Sequence, residues 1–251
     1  MILVLTCLLG GYIVTYDLRL PFILLFFLFI VKALVSHRYI EDQSNFQVAK
    51  KEKVSFLKIA HFCFLQEKRI AWLILVTGSQ FGLLILSFWT MVPLFEACGL
   101  SVEYYGAMFA SFSIISGLSG YFAKDIRQKL GVFNSYFMLW FLIFLGFFLS
   151  SSVSGILGIV FLWLFQIARG YGEVFLSTAL NDETPSKCRA TVLSFSSMVG
   201  RILFVLILCM SGWNVQSEDI LSMWQFLALL TICFAVLFSL LALRMKRKQL
   251  N

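Results

Sequence analysis

Five polar residues stand inside long apolar runs of the chain, and their side chains could bind an ion or a polar solute. Arg169 and Glu173 are four residues apart, so on a helix they share one face and can pair along it. Arg201 lies in the middle of its run, and Gln80 and Gln166 lie well inside theirs. A polar group that leaves water needs a partner, so all five are candidates for solute binding or ion coupling.

Each candidate also has a structural interpretation. The Glu173 carboxylate lies close enough to the end of its run to reach a polar interface. Arg201 is either one member of an ion pair between helices or a residue that contacts a solute or a coupling proton. If its helix packs antiparallel with the helix of Glu173 and Gln166, one of those two is its expected partner. Gln80 either lines a cavity or hydrogen-bonds to a neighbouring helix.

The elements that hold these residues are long hydrophobic segments. Of the 251 residues, 60% are hydrophobic and only 13% are charged, and the mean hydropathy is +0.90. A soluble domain has roughly 25% charged residues, which cover its surface. Most of this chain is therefore expected to face lipid, and the composition predicts an all-α integral membrane protein.

Apolar runs bounded by charged residues predict about eight transmembrane helices. The runs are 1–15, 20–35, 70–95, 104–123, 132–150, 155–177, 190–211 and 220–243. The first reaches only about 22 Å, less than the ~30 Å hydrocarbon core, so it is interpreted as the end of a helix. Small residues four apart predict two close packing seams, at Gly78 with Gly82 and at Ser113 with Gly117.

Lysine and arginine alternate between the loops that separate these runs. One set of loops carries most of them: the segments 38–69, 124–129 and 182–189, and the tail 244–251. The other set is neutral or acidic. By the positive-inside rule, the basic loops and the C-terminus are cytoplasmic. Because this alternation explains the net charge of +7, no nucleic-acid partner is expected.

The polar segments contain no residue set typical of an enzyme or a metal site. We find no Ser-His-Asp set, no phosphate-binding glycine loop and no pair of catalytic carboxylates there. The six cysteines are scattered without a close pair, so neither a metal site nor a disulfide framework is indicated. We therefore predict that the chain is not an enzyme and uses no metal ion or other cofactor.

Two stretches resemble transporters of the major facilitator superfamily. DETPSKCRATVLSF, at 182–195, is similar to the loop between their tenth and eleventh helices, in drug-efflux-like and sugar-transporter-like members. GGYIVTYDLRLPFILLFFLFIV, at 10–31, is similar to the connection between the fifth and sixth helices. The register of these matches implies the last two helices of an N-terminal half at 1–37, a cytoplasmic linker at 38–69, a complete six-helix C-terminal half at 70–243 and a basic tail at 244–251.

The resemblance implies a gating role for the inner loops, with one departure. The superfamily's Gly-x3-Asp-Arg-x-Gly-Arg signature has a weaker copy between the eighth and ninth helices, where this chain has GYFAKDIRQKLG. Counted from Gly120, Lys124 stands at the acidic position and Asp125 at the basic one. Asp125 and Arg127 in this loop, with Arg189 in the loop after the tenth helix, are the gating candidates.

The function implied by the resemblance is secondary active transport of a small solute by alternating access, in the plasma or inner membrane. A proton or another ion is a candidate coupling partner. Four helices of a complete transporter have no counterpart in this chain, so a separate N-terminal chain or another copy of this chain is a candidate protein partner. The alternative is a non-functional remnant or a structural partner subunit of a split transporter.

Overall fold

The computed structural model describes residues 12–13, 17, 19–37, 67–153, 155–186, 188–214 and 220–250, and every regular element among them is helical. The helices are α1 (Leu20–His37), α2 (Lys68–Ala97), α3 (Tyr105–Tyr121), α4 (Ala123–Ser152), α5 (Ile156–Val160), α6 (Leu162–Glu183), α7 (Arg189–Asn214) and α8 (Ile220–Leu250). A short 3-10 turn, Val102–Tyr104, precedes α3. For this part of the chain the expectation of an all-α protein is confirmed.

Among the residues that the structure describes, five segments are long and apolar enough to cross a membrane. They are Lys68–Ala97, Ala123–Ser152, Ile156–Glu183, Arg189–Gly212 and Ile220–Arg244. The predicted spans at 20–35 and 104–123 form the shorter helices α1 and α3, which have 18 and 17 residues. Apart from Tyr12 and Ile13, the predicted span at 1–15 lies outside the described residues, as does the linker at 38–66. The number of eight spans stays a prediction.

α2 is the central helix of the bundle. It packs against α7 on one side and against α6 and α8 on others, α3 packs on α6, and α4 packs on both α6 and α8. The helices α7, α2, α6 and α3 thus form a row, with α4 and α8 behind it. Among the described helices α1 has no extensive contact, and its side chains are almost all exposed.

The seam between α2 and α7 is formed by glycines. A methyl group added at Gly78 would lie 3.2 Å from the Cα of Gly200, and one added at Gly82 would lie 3.2 Å from the Cα of Phe204. The two backbones therefore approach closely, as small residues permit in a membrane. The predicted packing seam at Gly78 and Gly82 is confirmed.

The seam between α3 and α6 uses other residues than those predicted. Nothing lies within 4 Å of a methyl group added at Gly117. A methyl group at Gly170 would instead overlap the carbonyl oxygen of Ser116, and one at Gly120 would lie 3.3 Å from the carbonyl oxygen of Gly170. The prediction of a seam at Ser113 and Gly117 is wrong, because this face of α3 is turned away from α6.

α4 changes direction near its start. Gly131 has a φ of 74°, a left-handed conformation that residues with a side chain rarely adopt. The Ser135 hydroxyl donates a hydrogen bond of 2.7 Å to the Gly131 carbonyl oxygen at this break. The break separates a short, basic helical segment at 123–130 from the apolar part of α4.

Salt bridges join three helices at one end of the bundle, and a buried apolar cluster lies beside them. The N-termini of α2 and α4 meet the C-terminus of α6 there, through Arg69 with Glu183 and Arg127 with Asp182. We call this the basic end. Beside it a small apolar cluster joins α2, α6 and α7; its buried members are Ile70, Leu73, Ile74, Ala179, Leu180, Val192 and Phe195.

The outward faces of α4 and α8 are apolar. On α4, the exposed side chains at successive turns include Phe133, Phe137, Phe141 and Phe148. On α8 they include Leu229, Ile232, Val236, Leu237 and Leu240. Such apolar faces suit contact with lipid tails.

Candidate functional site

Three of the candidate residues lie at one level of the bundle. A methyl group added at Gly172, the neighbour of Glu173, would lie 3.8 Å from the Oε1 of Gln80. Gly78 and Gly82, which flank Gln80, contact Gly200 and Phe204, which flank Arg201. Gln80, Glu173 and Arg201 therefore form a layer, which we call the mid-depth layer. By helix rise it lies about 15–18 Å from the basic end.

Gln80 lies in the interior of this layer. Its side chain is 2% exposed and is enclosed between α2 and α6, and its Nε2 has no hydrogen-bond partner. Gln166, also 2% exposed, lies further from the basic end on α6, and its Oε1 likewise has no partner. A buried amide with an unmade hydrogen bond is destabilising by about 1–3 kcal/mol, so neither glutamine is explained by packing alone.

The predicted pairing of Arg169 with Glu173 is not formed. The half-buried Arg169 donates from Nε to the Ser116 hydroxyl, at 3.5 Å, across the seam between α3 and α6. Glu173 is exposed and takes part in neither of the ion pairs between described residues. Arg169 is held by α3 because Gly170 lets the two backbones approach, which places Ser116 within reach.

Arg201 is also unpaired. The expectation that it pairs with Glu173 or Gln166 is not met, because α7 packs mainly on α2 and touches α6 only slightly. At the level of Gln80, α2 contacts α7 through Gly78 and Gly82 and contacts α6 beside Gly172, so it lies between the two helices. Arg201 is exposed, as Glu173 is, and they flank Gln80 rather than contact each other.

The exposed surface of α6 and α7 near this layer carries polar and charged side chains among apolar ones such as Val174 and Ile202. The polar set includes Glu173 and Ser177 on α6, and Ser194, Ser197 and Arg201 on α7. We call these five residues the polar face. On each helix they recur every three or four residues, so they share one side. Ionisable side chains at this depth do not face lipid, so another protein surface or water must cover the polar face in the membrane.

The gating candidates lie at the basic end, and two of them make contacts. Arg127 pairs with Asp182, at 3.5 Å between Nη2 and Oδ2, and its guanidinium carbon lies 5.7 Å from the centre of the Phe175 ring. Arg189 donates from Nη2 to the carbonyl oxygen of Thr184, at 3.5 Å. Asp125 is exposed and has neither an ion pair nor a hydrogen bond with another described side chain.

Sequence reasoning missed several partners of these residues. Asp182 and Glu183 are the acceptors for the inner arginines, although the sequence indicated only a charged loop there. Ser116 holds Arg169, and the Trp163 indole donates to the Ser111 hydroxyl at 3.1 Å in the same seam. The acidic pair at the end of α6 was the available signal, because it follows an apolar run directly and faces basic loops.

In the part of the chain that the structure describes, no three His, Cys, Asp or Glu side chains are grouped so that they could hold a metal ion. The candidate chemistry of the mid-depth layer is therefore that of its own side chains. Gln80 can donate hydrogen bonds, the Glu173 carboxylate can take up a proton, and the Arg201 guanidinium can bind an anion.

Comparison with known proteins gives a match to a family model. No curated protein and no solved structure matches the chain. A family model described as Major Facilitator Superfamily matches residues 1–208, which is most of the sequence and includes every residue of the mid-depth layer. Together with five membrane-spanning segments and a polar layer at mid-depth, this match shows that the chain is a multi-pass membrane protein that belongs to the Major Facilitator Superfamily of transporters.

Proposed function

We propose that this protein moves a small solute across the membrane by alternating access, with the polar face as part of the solute path. The observation that carries the proposal is the position of Glu173 and Arg201, which are exposed, have no ion-pair partner among the described residues and lie in the mid-depth layer on either side of α2. Transporters bind their solutes near the bilayer midplane, at the interface between helix bundles. The second bundle would cover the polar face.

The proposed orientation places the basic end in the cytoplasm. Lys68 and Arg69 begin α2, Arg127 lies in the first turns of α4, and Arg244 lies late in α8, so the cations gather where those helices meet. Cytoplasmic loops carry an excess of such residues. The C-terminus would then be cytoplasmic too, and the protein would reside in the plasma or inner membrane.

Glu173 is the proposed coupling residue for a proton. It is the carboxylate of the mid-depth layer, and it has no ion-pair partner among the described residues. Ionisable side chains within membrane spans commonly belong to proton pathways, so the Glu173 carboxylate would carry the coupling proton between the two states of the transporter. Arg169 lies one turn away on α6.

The ion pairs at the basic end support the proposed gate. Arg69 with Glu183 and Arg127 with Asp182 hold the ends of α2, α4 and α6 together. Arg189 adds a contact to the loop that leaves α6. The inner loop that carries Asp125 and Arg127 would move with these helices as one body when the cytoplasmic side of the path opens.

One observation favours a second candidate, a chain that works only with a partner. The polar face has no cover within the described residues, so transport needs another helix bundle. In this second candidate, a separate N-terminal chain or another copy of this chain supplies that bundle. In the absence of either, the protein would be a structural subunit or an inactive remnant.

A reconstitution experiment tests the proposed function. The purified chain is placed in vesicles that contain a pH-sensitive dye, and solutes of different charge are added outside. We expect at least one solute to drive proton flux, and Glu173→Gln to abolish the flux. The control is Glu103→Gln, which removes an exposed carboxylate near the start of α3. No flux from a folded, monodisperse protein would favour the structural subunit or the remnant.

A further inference from the structure

The polar residues of α7 occupy only one half of its exposed face. Ser194, Ser197 and Arg201 follow one another at helical spacing from the basic end to the mid-depth layer, and all three are exposed. On the same side beyond Arg201 stand Val205 and Leu208, which are also exposed. Met198 is also exposed between Ser194 and Arg201, so the face carries polar groups along an otherwise mixed surface up to Arg201 and is apolar at Val205 and Leu208.

α6 shows the polar half of this division and α2 shows the apolar half. On α6, the exposed polar residues Glu173 and Ser177 lie between the mid-depth layer and the basic end. On α2, the exposed side chains beyond the layer include the aromatic residues Phe81, Phe88 and Trp89. Water can follow hydroxyl and charged groups up to the layer, whereas the apolar half gives it no hydrogen-bond partners. On α6 and α7 a hydrated approach thus ends at the same level.

The hydroxyl oxygens of the α7 serines remain available as hydrogen-bond acceptors along this approach. The Ser194 hydroxyl donates to the carbonyl oxygen of Ala190, at 3.0 Å, and the Ser197 hydroxyl donates to that of Leu193, at 3.1 Å. Each hydroxyl oxygen keeps lone pairs that water can use. Arg201 lies at the end of this row, with five N–H groups and no ion pair or hydrogen bond to a described residue.

The charges around the layer make Arg201 an attractive site for an anion. Glu173 is the carboxylate at this level, but Arg169 lies one turn away on the same helix and offsets its charge. α2 keeps Glu173 away from Arg201. The guanidinium therefore presents its charge to the hydrated approach, without a carboxylate from the described residues to neutralise it.

We propose that Arg201 binds the anionic group of the solute, a carboxylate or a phosphate, which reaches it from the cytoplasmic end along Ser194 and Ser197. This inference rests on the proposed function, because it names the class of solute for the same site. A planar guanidinium binds such oxygen pairs in a bidentate way, which a lysine cannot reproduce. The apolar half beyond Arg201 would stop the solute at this level until the transporter changes state.

A charged labelling reagent tests the proposal without knowledge of the solute. Ser197→Cys is made in a cysteine-free background of the full chain, as a reporter one turn from Arg201. Its reaction rates are measured with two methanethiosulfonates, one carrying a sulfonate and one a trimethylammonium group. We expect the anionic reagent to react faster, and the ratio of the two rates to fall on the order of tenfold when Arg201→Gln is added.

Controls separate charge from folding and from water access. Arg201→Lys keeps the charge, so the rate ratio should stay high even if solute binding is lost. Phe137→Cys on the lipid-facing side of α4 and Val205→Cys beyond the layer should react slowly with both reagents. Each variant is compared only if it elutes as a monodisperse protein, and Ser194→Cys serves as a second reporter if Ser197→Cys does not.

The outcomes distinguish this inference from the proposed function. Reporters that react with neither reagent would overturn the hydrated approach. A rate ratio that does not depend on Arg201, or that favours the cation, would show that a carboxylate of another protein segment neutralises Arg201, and would overturn the anion site. The expected ratio without proton flux in the vesicles would support the anion site and contradict transport by this chain.

Discussion

The Arg127 guanidinium and the Asp182 carboxylate form an ion pair of 3.5 Å between the start of α4 and the end of α6. The same guanidinium lies 5.7 Å from the centre of the Phe175 ring, so it is held from two sides. Arg69 and Glu183, at 3.3 Å, connect α2 to the same end of α6. The end of α6 is therefore the place where three helices are tied together at the basic end.

Replacing Arg127 by glutamine should lower stability slightly. The Asp182 side chain is 61% exposed, so solvent weakens the ion pair, and we expect a loss of about 0.5–1.5 kcal/mol from the pair and the ring contact together. Thermal unfolding in detergent measures it. The double variant Arg127→Asp with Asp182→Arg should be more stable than Arg127→Asp alone, because the swapped pair can form again. The control Lys124→Gln should leave the melting temperature unchanged. A double variant no more stable than Arg127→Asp would show that the pair is absent.

The seam between α3 and α6 should tolerate no side chain at Gly170. Gly170→Ala places a methyl group against the backbone of Ser116, so α3 must move away, which we expect to lower stability by about 1–3 kcal/mol. The matched control is Gly117→Ala, where the added methyl group meets nothing within 4 Å. Thermal unfolding of the two variants in the same detergent makes the comparison. Equal melting temperatures would place the seam elsewhere.

The seams between α2 and α7 and between α3 and α6 show what the spacing of small residues in a sequence can predict. Gly78 and Gly82 are four apart on a long apolar helix, and the predicted close packing follows because small residues there permit it. Ser113 and Gly117 have the same spacing, yet Ser116 and Gly120 make the contact. Spacing identifies residues that share a face, whereas the direction of that face depends on packing against a partner helix, which a single sequence does not contain.

The candidate site was predictable in its residues but not in its pairs. Ionisable and amide groups inside apolar runs identify Gln80, Glu173 and Arg201 without any structure. Their separation could not be foreseen, because α6 and α7 are consecutive in sequence while α2 lies between them at mid-depth. The expected partner of Arg201 depended on α6 and α7 packing against each other, and in the structure both helices pack mainly on other helices.

Substitution of Gln80 by leucine distinguishes a site residue from a structural one. Its Nε2 is buried and makes no hydrogen bond, so Gln80→Leu should leave the melting temperature unchanged or raise it, at a gain of up to about 1–3 kcal/mol. If Gln80 contacts the solute, the same variant should lose solute-driven flux. Gln166→Leu, with an equally buried amide further from the basic end, is the comparison. A large fall in melting temperature for Gln80→Leu would indicate a hydrogen bond between helices instead.

Two cysteines test the orientation of the bundle. Cys188 lies in the loop between α6 and α7 at the basic end, and Cys98 directly follows α2 at the opposite end. In single-cysteine variants in sealed, oriented vesicles, we expect a membrane-impermeant maleimide to label Cys188 from the cytoplasmic side and Cys98 from the other side. Labelling of both from one side would contradict the proposed orientation.

The pH dependence of the same reaction provides an internal check on Cys98. Burial raises the pKa of the Cys98 thiol, because desolvation disfavours the charged thiolate. Since the thiolate is the reacting form, labelling of Cys98 should be slow near neutral pH and should rise about tenfold per pH unit until the pH reaches the raised pKa. A free cysteine in solution, measured in parallel, should reach its maximum rate at a lower pH. If the two rates level off together, Cys98 is exposed, and the packing of the turn between α2 and α3 differs from that described here.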